Sequence, residues 1–425
     1  MLHQHATIRL SRWTIPLFYA LAAVAAGLTL PRIEAHLLPA MSPISAGSAI
    51  AIYSAVASGM IALTGIVFSL TFVLIQFSAT TYSPRLVLWI AQDPVLSHAL
   101  GIFTATFLYA IAALAWVDRN QSGRVPFFSA WMVVALLLAS VGMFVALIQR
   151  IGLLQISRML IFTGNQGRKS INALYPPLSS NHVPGAGQSL RGLPLTQTLT
   201  HTGLPRCLQE INVEKLVRLA AASDGLIVAA AAVGDSVMER APLLQVYGGR
   251  RGIDEKQLLK AIRLGPERSF DQDPKYAIRL LVDIAIKALS PAINDPTTAV
   301  EALGEIGDLL LQAGHRRLEI GEFHDDRGKL RLMAPFPAWE DFLQLAFDEI
   351  STYGATSVQV MRRMKALISD LTPLLPEERQ VALKQWQARL NAIVARSFPD
   401  PEAKQEALVE DRQGIGMSRG HSASL

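Results

Sequence analysis

Two short segments late in the chain carry the side chains that could do chemistry, and each ends in Asp-Pro. Residues 267–274 read Glu-Arg-Ser-Phe-Asp-Gln-Asp-Pro, and residues 290–296 read Ser-Pro-Ala-Ile-Asn-Asp-Pro. Their carboxylates could act as general acids or bases in a membrane enzyme. The same charges could instead bind a small ligand or a neighbouring subunit. Six residues are candidates for such a contact: Arg268, Asp271, Asp273, Ser290, Asn294 and Asp295.

Helix capping explains much of the same pattern without any function. An aspartate at the N-cap accepts free amide hydrogens, and a proline at the first helical position loses no hydrogen bond. The two segments therefore predict one helix from about Lys275 to Leu289 and a second that runs to about Gln312. Because the spacing does not separate catalytic carboxylates from caps, we assign no catalytic residue.

Familiar catalytic and cofactor motifs are missing from the rest of the sequence. It contains no phosphate-binding glycine loop, no His-Glu-x-x-His, no Cys-x-x-Cys and no Gly-x-Ser-x-Gly. Cys207 is the single cysteine, and no lysine lies between Lys215 and Lys256 to carry a lipoyl or biotinyl group. His324 with Asp325 is a weak metal candidate. We expect no cofactor and no metal site, and the sequence favours no enzyme activity.

Four long stretches of the sequence contain no charged residue and are candidates for membrane-spanning helices. They would anchor the two Asp-Pro segments to a membrane. Crossing about 30 Å of hydrocarbon takes roughly 20 apolar residues in a helix. The predicted spans are Thr14–Leu30, Ala49–Phe77, Val95–Val117 and Phe127–Ile148. No charged residue lies within any of them, which argues against transport coupled to buried carboxylates.

The distribution of basic residues predicts the orientation of the four spans. Seven basic residues flank one side: Arg9, Arg12, Arg85, Arg150, Arg158, Arg168 and Lys169. The opposite loops carry Arg32, Arg119 and Arg124. Because cytoplasmic loops carry the excess of positive charge, we predict that both termini and the large C-terminal part lie in the cytoplasm.

Small and polar residues recur on one face of the second span, which is longer than the bilayer requires. This face comprises Ser54, Ser58, Gly65, Ser69 and Gln76. Such residues let membrane helices pack closely and hydrogen-bond to one another, or they could line a polar path through an oligomer. Just beyond the span, Arg85 could contact lipid phosphate or simply set the topology.

Composition divides the chain near Gln149. Residues 1–149 carry six basic and three acidic side chains, against 33 and 31 in the remainder. A nearly neutral C-terminal part lacks the clustered basic face that nucleic acid requires, so no nucleic-acid partner is expected. The predicted regions are a transmembrane domain (1–150), a helical extension and linker (151–205), a cytoplasmic α+β domain (206–335), a C-terminal helical region (336–410) and a disordered tail (411–425).

The predicted fold is a membrane α-helical domain of four transmembrane helices joined to a cytoplasmic α+β domain. That second domain should hold a small β-module followed by C-terminal helices. Strands are predicted near residues 193–199, 226–233, 243–247, 318–323 and 329–334. Breaks between the last helices are expected at Gly354, Pro373, Pro376 and Pro399.

The chain resembles a bacterial family of predicted membrane proteins, domain of unknown function 2254. The resemblance is carried by Ser83-Pro84-Arg85, by residues 267–274 and by residues 288–296, and it extends over nearly the whole chain. One departure is Arg240, where the family more typically has glycine in a β-turn. The resemblance implies a bacterial inner-membrane location and supplies no substrate.

Three functions fit these features, and a homo-oligomeric channel or permeation-type protein is the preferred one. Its pore would be lined by the polar face of the second span, with the cytoplasmic domain as a regulatory part. The alternative is a membrane-anchored sensor or scaffold that binds a small ligand or a protein partner through its cytoplasmic domain. The third is an interfacial enzyme that uses Asp271, Asp273 and Asp295.

Overall fold

A computed structural model describes residues 14–37, 44–81, 94–118, 125–151, 156–178 and 192–416. These residues form two compact units, one within residues 1–155 and the other within residues 156–425. The first unit is helical, and the second mixes helices with two small sheets.

Four long apolar helices make up the described part of the first unit, as the sequence predicts. They are α1 (Thr14–Leu37), α2 (Ala46–Thr81), α3 (Pro94–Leu114) and α4 (Phe127–Ile151). Each is long and apolar enough to cross a membrane. The 36 residues of α2 correspond to about 54 Å at 1.5 Å per residue, well beyond the hydrocarbon thickness.

The first helix is longer than its predicted span, and this changes its chemistry. Instead of ending at Leu30, α1 continues through Pro31 to Leu37. Helices in membranes tolerate an internal proline because neighbouring groups satisfy the freed backbone carbonyl. As a result Arg32 and Glu34 belong to the same helix as the apolar run, and both fall within the stretch Thr14–Glu34 that is long and apolar enough to span a membrane.

Helix α3 is the centre of the first unit, and the other three helices pack around it. Close approach to α1 depends on two glycines, because a Cβ at Gly27 would lie 2.6 Å from Ala112 Cβ and one at Gly101 would lie 2.6 Å from the Tyr19 ring. The outer surfaces carry exposed large apolar side chains such as Phe18, Ile66 and Leu138. This exterior suits contact with lipid tails.

The second unit begins with a helix and continues with strands and short helices. Its first part comprises α5 (Ile156–Leu174), β1 (Leu195–Thr200), β2 (Arg206–Ile211), α6 (Val213–Ser223), β3 (Gly225–Ala229), β4 (Ser236–Val237), β5 (Pro242–Gly248), α7 (Glu255–Leu259) and β6 (Ile262–Gly265). Its second part comprises α8 (Pro274–Ala288), α9 (Pro296–Gly314), β7 (Glu322–His324), β8 (Leu330–Met333), α10 (Trp339–Tyr353), α11 (Val358–Leu374), α12 (Glu377–Ser397) and α13 (Pro401–Ala407).

Two sheets share one apolar core in the first half of this unit. The larger has the strand order β1-β5-β3-β8-β7, with β3 and β8 parallel and the other pairs antiparallel. The smaller has the order β4-β2-β6 and is antiparallel. Leu208, Leu216, Ile227 and Leu332 are among the buried residues that join them. The five predicted strands are present with shifted ends, whereas β2, β4 and β6 were missed.

Helix α8 is the centre of the helical half and packs against α5, α9 and α10. Ten of its 15 residues are buried, while its four charged side chains recur every four residues and lie along one face. The predicted break at Pro373 does not occur, since α11 continues to Leu374. Residues 411–416 contact α11: Asp411 accepts the Gly414 and Gly416 amides, and Arg362 donates to the Gly416 carbonyl.

Candidate functional site

The polar face of α2 points away from the helices of its own unit. Ser54, Ser58, Gly65, Ser69 and Gln76 are all exposed. The buried residues of the same helix lie on a different face and include Ala49, Tyr53, Ala57, Met60 and Val67. A Cβ added at Gly65 would meet nothing within 4 Å. The small residues on this polar face therefore do not pack against other described residues, in contrast to the glycines between α1 and α3.

The serine hydroxyls on this face also differ from other hydroxyls in the unit. Thr64 Oγ1 donates to the Met60 carbonyl at 2.7 Å, and Thr106 bonds to Ser140 at 2.9 Å. Ser54, Ser58 and Ser69 have no side-chain hydrogen bond within the described part of the chain. Arg85, the interfacial candidate, lies outside the described residues.

The segment between β6 and α8 holds a buried ion pair. Asp273 Oδ2 accepts from Arg268 Nη2 at 2.6 Å and from Arg268 Nε at 2.7 Å. The Asp273 side chain is 1% exposed and that of Arg268 is 30% exposed. The guanidinium also lies over the Tyr276 ring, 5.8 Å from its centroid. Gly234 packs directly against the pair, with φ at 95° and the position of a Cβ 2.7 Å from Asp273 Oδ2.

The two Asp-Pro segments, although alike in sequence, use their aspartates differently. Asp295 caps α9 as expected, accepting the Thr298 amide at 3.1 Å and the Thr298 hydroxyl at 2.6 Å. Asp273 makes no side-chain cap to α8. The capping prediction was therefore wrong for Asp273, because its carboxylate pairs with Arg268, five residues earlier in the chain, at a position where Gly234 packs against the pair.

The neighbours of this pair attach the segment to the smaller sheet. Asp271 Oδ2 accepts from Arg263 Nη2 at 2.5 Å. The Gln272 amide contacts both backbone groups of Ile211, accepting its N–H at 3.0 Å and donating to its carbonyl at 3.3 Å. Most polar groups of residues 268–273 are thus engaged within the chain, and they fix the start of α8 against β2.

Burial controls the ionisation of the groups around the pair. Desolvation raises the pKa of Asp273, although the Arg268 charge acts in the opposite direction. Desolvation, assisted by the Asp273 charge, also raises the pKa of the Tyr175 phenol. It raises the pKa of the Cys207 thiol, which Arg268 partly offsets. Asp273 Oδ1 and the Tyr175 hydroxyl have no hydrogen-bond partner among the described residues.

The turn between α8 and α9 has a rigid stem and an exposed tip. In the stem, Ser290 Oγ donates to the Lys287 carbonyl at 2.7 Å, and the Asp295 amide donates to the Ala288 carbonyl at 2.8 Å. The tip exposes Asn294, which has a left-handed φ of 51°, and Ile293, which is 42% exposed.

This turn and the Arg268 pair are not brought together. They lie at opposite ends of α8, whose 15 residues span about 22 Å. The six contact candidates therefore form two separate groups, one around Arg268 and one around Asn294.

The hairpin between β7 and β8 is built around a buried arginine. Arg331 Nε donates to Asp325 Oδ2 at 2.7 Å, and Arg331 Nη1 contacts Asp224 Oδ1 at 3.0 Å. Lys329 also pairs with Asp224 at 2.7 Å. These cations lower the pKa of Asp224 to about 2 and lower that of Asp325. Among the described residues no group of three His, Cys, Asp or Glu side chains is placed to hold a metal.

A polar group that the sequence did not reveal lies inside the first unit, and we call it the Glu34 cluster. It comprises Glu34 from α1, Tyr53 from α2, Tyr109 from α3, and Ser129 with the Phe128 amide from α4. Glu34 Oε1 accepts the Phe128 N–H at 3.0 Å, and the Tyr109 and Ser129 hydroxyls are 3.1 Å apart. The four side chains are buried, with Glu34 6% exposed and Tyr53 3% exposed. The signal that could have found it is Glu34 itself, a lone acid directly behind an apolar run.

A family model described as predicted membrane protein (DUF2254) matches residues 9–370. The chain belongs to this family. A protein of Mycobacterium bovis, Uncharacterized protein Mb1321c, is 27% identical over 365 residues, which cover 83% of this chain and 70% of that protein. Uncharacterized protein Rv1290c of Mycobacterium tuberculosis matches to the same extent. No solved structure matches the chain. The family and the four apolar helices together show that this is a membrane protein, as the sequence predicts.

Proposed function

We propose that this protein is a homo-oligomeric channel or permeation-type protein of the bacterial inner membrane. The observation that carries the proposal is the outward polar face of α2, whose Gly65 lies in open space and whose serine hydroxyls lack partners within the described chain. In hydrocarbon, small and hydroxyl residues favour contact with another helix or with water over contact with lipid. Copies of α2 would meet across the assembly and present this face to a central path.

The chemistry of the face is suited to weakly selective ion flow. It carries hydroxyl and amide groups and no charge, so it would hydrate an ion without holding it tightly. One chain has too few helices to enclose a path by itself. The excess of basic residues flanking one side supports a topology with both termini and the second unit in the cytoplasm, where the second unit would regulate the path.

Disulfide crosslinking in membranes tests the assembly. With Cys207→Ser as background, Ser58→Cys and Ser69→Cys should give crosslinked oligomers on oxidation. Ile66→Cys is the matched control, since Ile66 is 63% exposed on the same helix but lies outside the polar face. Equal crosslinking of Ile66→Cys, or a monomer in mild detergent, would contradict the proposal.

Flux measurements test the path itself. Purified protein in liposomes should conduct small ions, and Ser58→Leu or Ser69→Leu should reduce the flux by about tenfold or more, because each replaces a polar lining group with an apolar one. Ile66→Leu should leave the flux unchanged. Flux that both serine variants preserve would remove this role for the α2 face.

The exposed turn at Ser290–Asp295 favours a second candidate, a membrane-anchored sensor or scaffold. Its stem is fixed by hydrogen bonds while Ile293 and Asn294 project outward, which suits a contact with a ligand or a protein partner. A ligand that stabilises the full-length protein against heat should lose its effect in Asn294→Ala. Stabilisation that survives this substitution would exclude the turn as the binding surface.

A further inference from the structure

The Glu34 cluster places an acid in the interior of the first unit without a counter-charge among the described residues. The nearest basic side chain in sequence, Arg32, lies over the Trp116 ring, 5.2 Å from its centroid, and does not pair with Glu34. Buried carboxylates are costly unless they are paired, protonated or bound to a cation. Acidic residues at membrane height also mark functional sites more often than structural ones.

One oxygen of this acid is already occupied and the other is not. Glu34 Oε1 accepts the Phe128 N–H in the first turn of α4, so the carboxylate gains from the helix N-terminus. Glu34 Oε2 has no hydrogen-bond partner in the described chain, and neither does the Tyr53 hydroxyl. The hydrogen bond to α4 therefore fixes the position of the carboxylate but leaves its second oxygen without a hydrogen-bond donor among the described residues.

Neutral hydroxyl groups are buried in the same cluster as the unused oxygen. Tyr53 and Tyr109 are buried in the same apolar cluster, and Tyr109 is paired with Ser129, the neighbour of the residue that Glu34 binds. A hydroxyl oxygen has two lone pairs, so the Tyr109–Ser129 pair keeps accepting capacity. Apolar residues enclose the tyrosines, among them Ala49, Val117, Val125 and Val133, and exclude bulk water.

We propose that the Glu34 cluster binds one monovalent metal cation, such as Na⁺ or K⁺, through Glu34 Oε2 and the hydroxyls of Tyr53, Tyr109 and Ser129. Carboxylate and hydroxyl oxygens are the ligands that hard cations prefer. One carboxylate balances one positive charge, whereas a divalent ion would leave a net charge in a site of low dielectric. The ion would tie α1, α2, α3 and α4 together at the end of the bundle where α1 ends and α4 begins.

The proposed cation site lies within a single subunit. It does not depend on whether the polar faces of α2 from different subunits contact one another. A cation bound there would make the stability of the first unit depend on which cation is present. The site is therefore testable by binding alone, without any measurement of flux.

Equilibrium binding of ²²Na⁺ and ⁸⁶Rb⁺ to the full-length protein in detergent tests the proposal, with choline chloride holding the ionic strength constant. Wild type should bind one of the two ions saturably at concentrations on the order of millimolar, with about one ion per chain. Glu34→Gln should abolish the binding. Tyr53→Phe should weaken it at least tenfold, since it removes a ligand oxygen and breaks no hydrogen bond within the described chain.

Tyr19→Phe is the matched control. It removes the same atom from a tyrosine whose hydroxyl bonds to His98 Nδ1 at 3.2 Å, so binding should be unchanged. Circular dichroism in choline chloride confirms that each variant is folded, and Tyr53→Phe keeps the test decisive if Glu34→Gln does not fold. Absence of saturable binding by wild type, or unchanged binding in both variants, would overturn the proposal.

Discussion

Arg268 holds the buried Asp273 carboxylate through two nitrogens that converge on one oxygen, with Nη2 at 2.6 Å and Nε at 2.7 Å from Oδ2. The contact is asymmetric in solvation, because Asp273 is 1% exposed and Arg268 is 30% exposed. Water can therefore reach the Arg268 cation but not the Asp273 anion. Removing Arg268 should for this reason change the stability of the protein by a different amount from removing the charge of Asp273.

Arg268→Ala should destabilise the protein by about 2–3 kcal/mol at pH 7.5, because it leaves a buried carboxylate without a counter-charge. Asp273→Asn should cost less, since the Arg268 guanidinium remains accessible to water. Thermal unfolding of the full-length protein in detergent measures both. The double variant should be more stable than Arg268→Ala alone; an additive loss would show that the pair is not coupled.

The cost of Arg268→Ala should shrink as the pH falls. Burial already raises the pKa of Asp273, and loss of Arg268 removes the main charge that opposes this shift. A carboxyl whose folded-state pKa is raised favours the folded state at low pH and loses that advantage as the pH rises through the folded-state pKa. Unfolding of the variant and wild type at pH 5 and pH 7.5 measures the difference, and a cost independent of pH would contradict this assignment.

Gly234→Ala should destabilise the protein more than Gly328→Ala. Both glycines have positive φ, 95° and 74°, but a Cβ at Gly234 would lie 2.4 Å from Arg268 Nη2 whereas one at Gly328 would meet nothing within 4 Å. The backbone strain of roughly 1 kcal/mol is common to both, so the additional loss at Gly234 reports its packing against the ion pair. Equal losses, measured by thermal unfolding, would show that this packing is dispensable.

Arg240→Gly should stabilise the protein by about 1 kcal/mol, because Arg240 has a φ of 65°, a conformation that glycine adopts without strain. Glu239→Gly is the control: Glu239 is not among the described residues with positive φ, so glycine there should destabilise. An unfolding midpoint lower for Arg240→Gly than for wild type would show that the backbone at Arg240 is not strained.

The hairpin around Arg331 should weaken in acid. Lys329 and Arg331 lower the pKa of Asp224 to about 2. A lowered carboxyl pKa stabilises the folded state above the unfolded-state value of about 4, and this stabilisation is lost as the pH falls towards 2. The advantage of wild type over Asp224→Asn in unfolding experiments should therefore be present at pH 6 and absent near pH 2. Asp326→Asn, at an exposed position of the same hairpin, should have the same stability against unfolding as wild type at both pH values.

The sequence was sufficient to predict those helices whose formation depends only on residues close together in the chain. The four membrane helices follow from apolar runs long enough to cross hydrocarbon, and α9 begins at Pro296 because its N-cap, Asp295, needs only the first turn of the helix. The strands β2 and β6 were missed because Arg206–Ile211 and Ile262–Gly265 acquire strand geometry by pairing with each other across about 50 residues of chain.

The sequence by itself determined that the first third lies in lipid and that a mixed helical and strand region follows. Only the tertiary structure decided which side of α2 faces outward, that Asp273 pairs with Arg268 instead of capping α8, and that Glu34 lies buried against the start of α4. The physical reason is the range of the interactions. Hydrophobic length and capping are properties of adjacent residues, whereas burial of a charge depends on the distant segments that pack around it, as Gly234 packs against the Arg268–Asp273 pair.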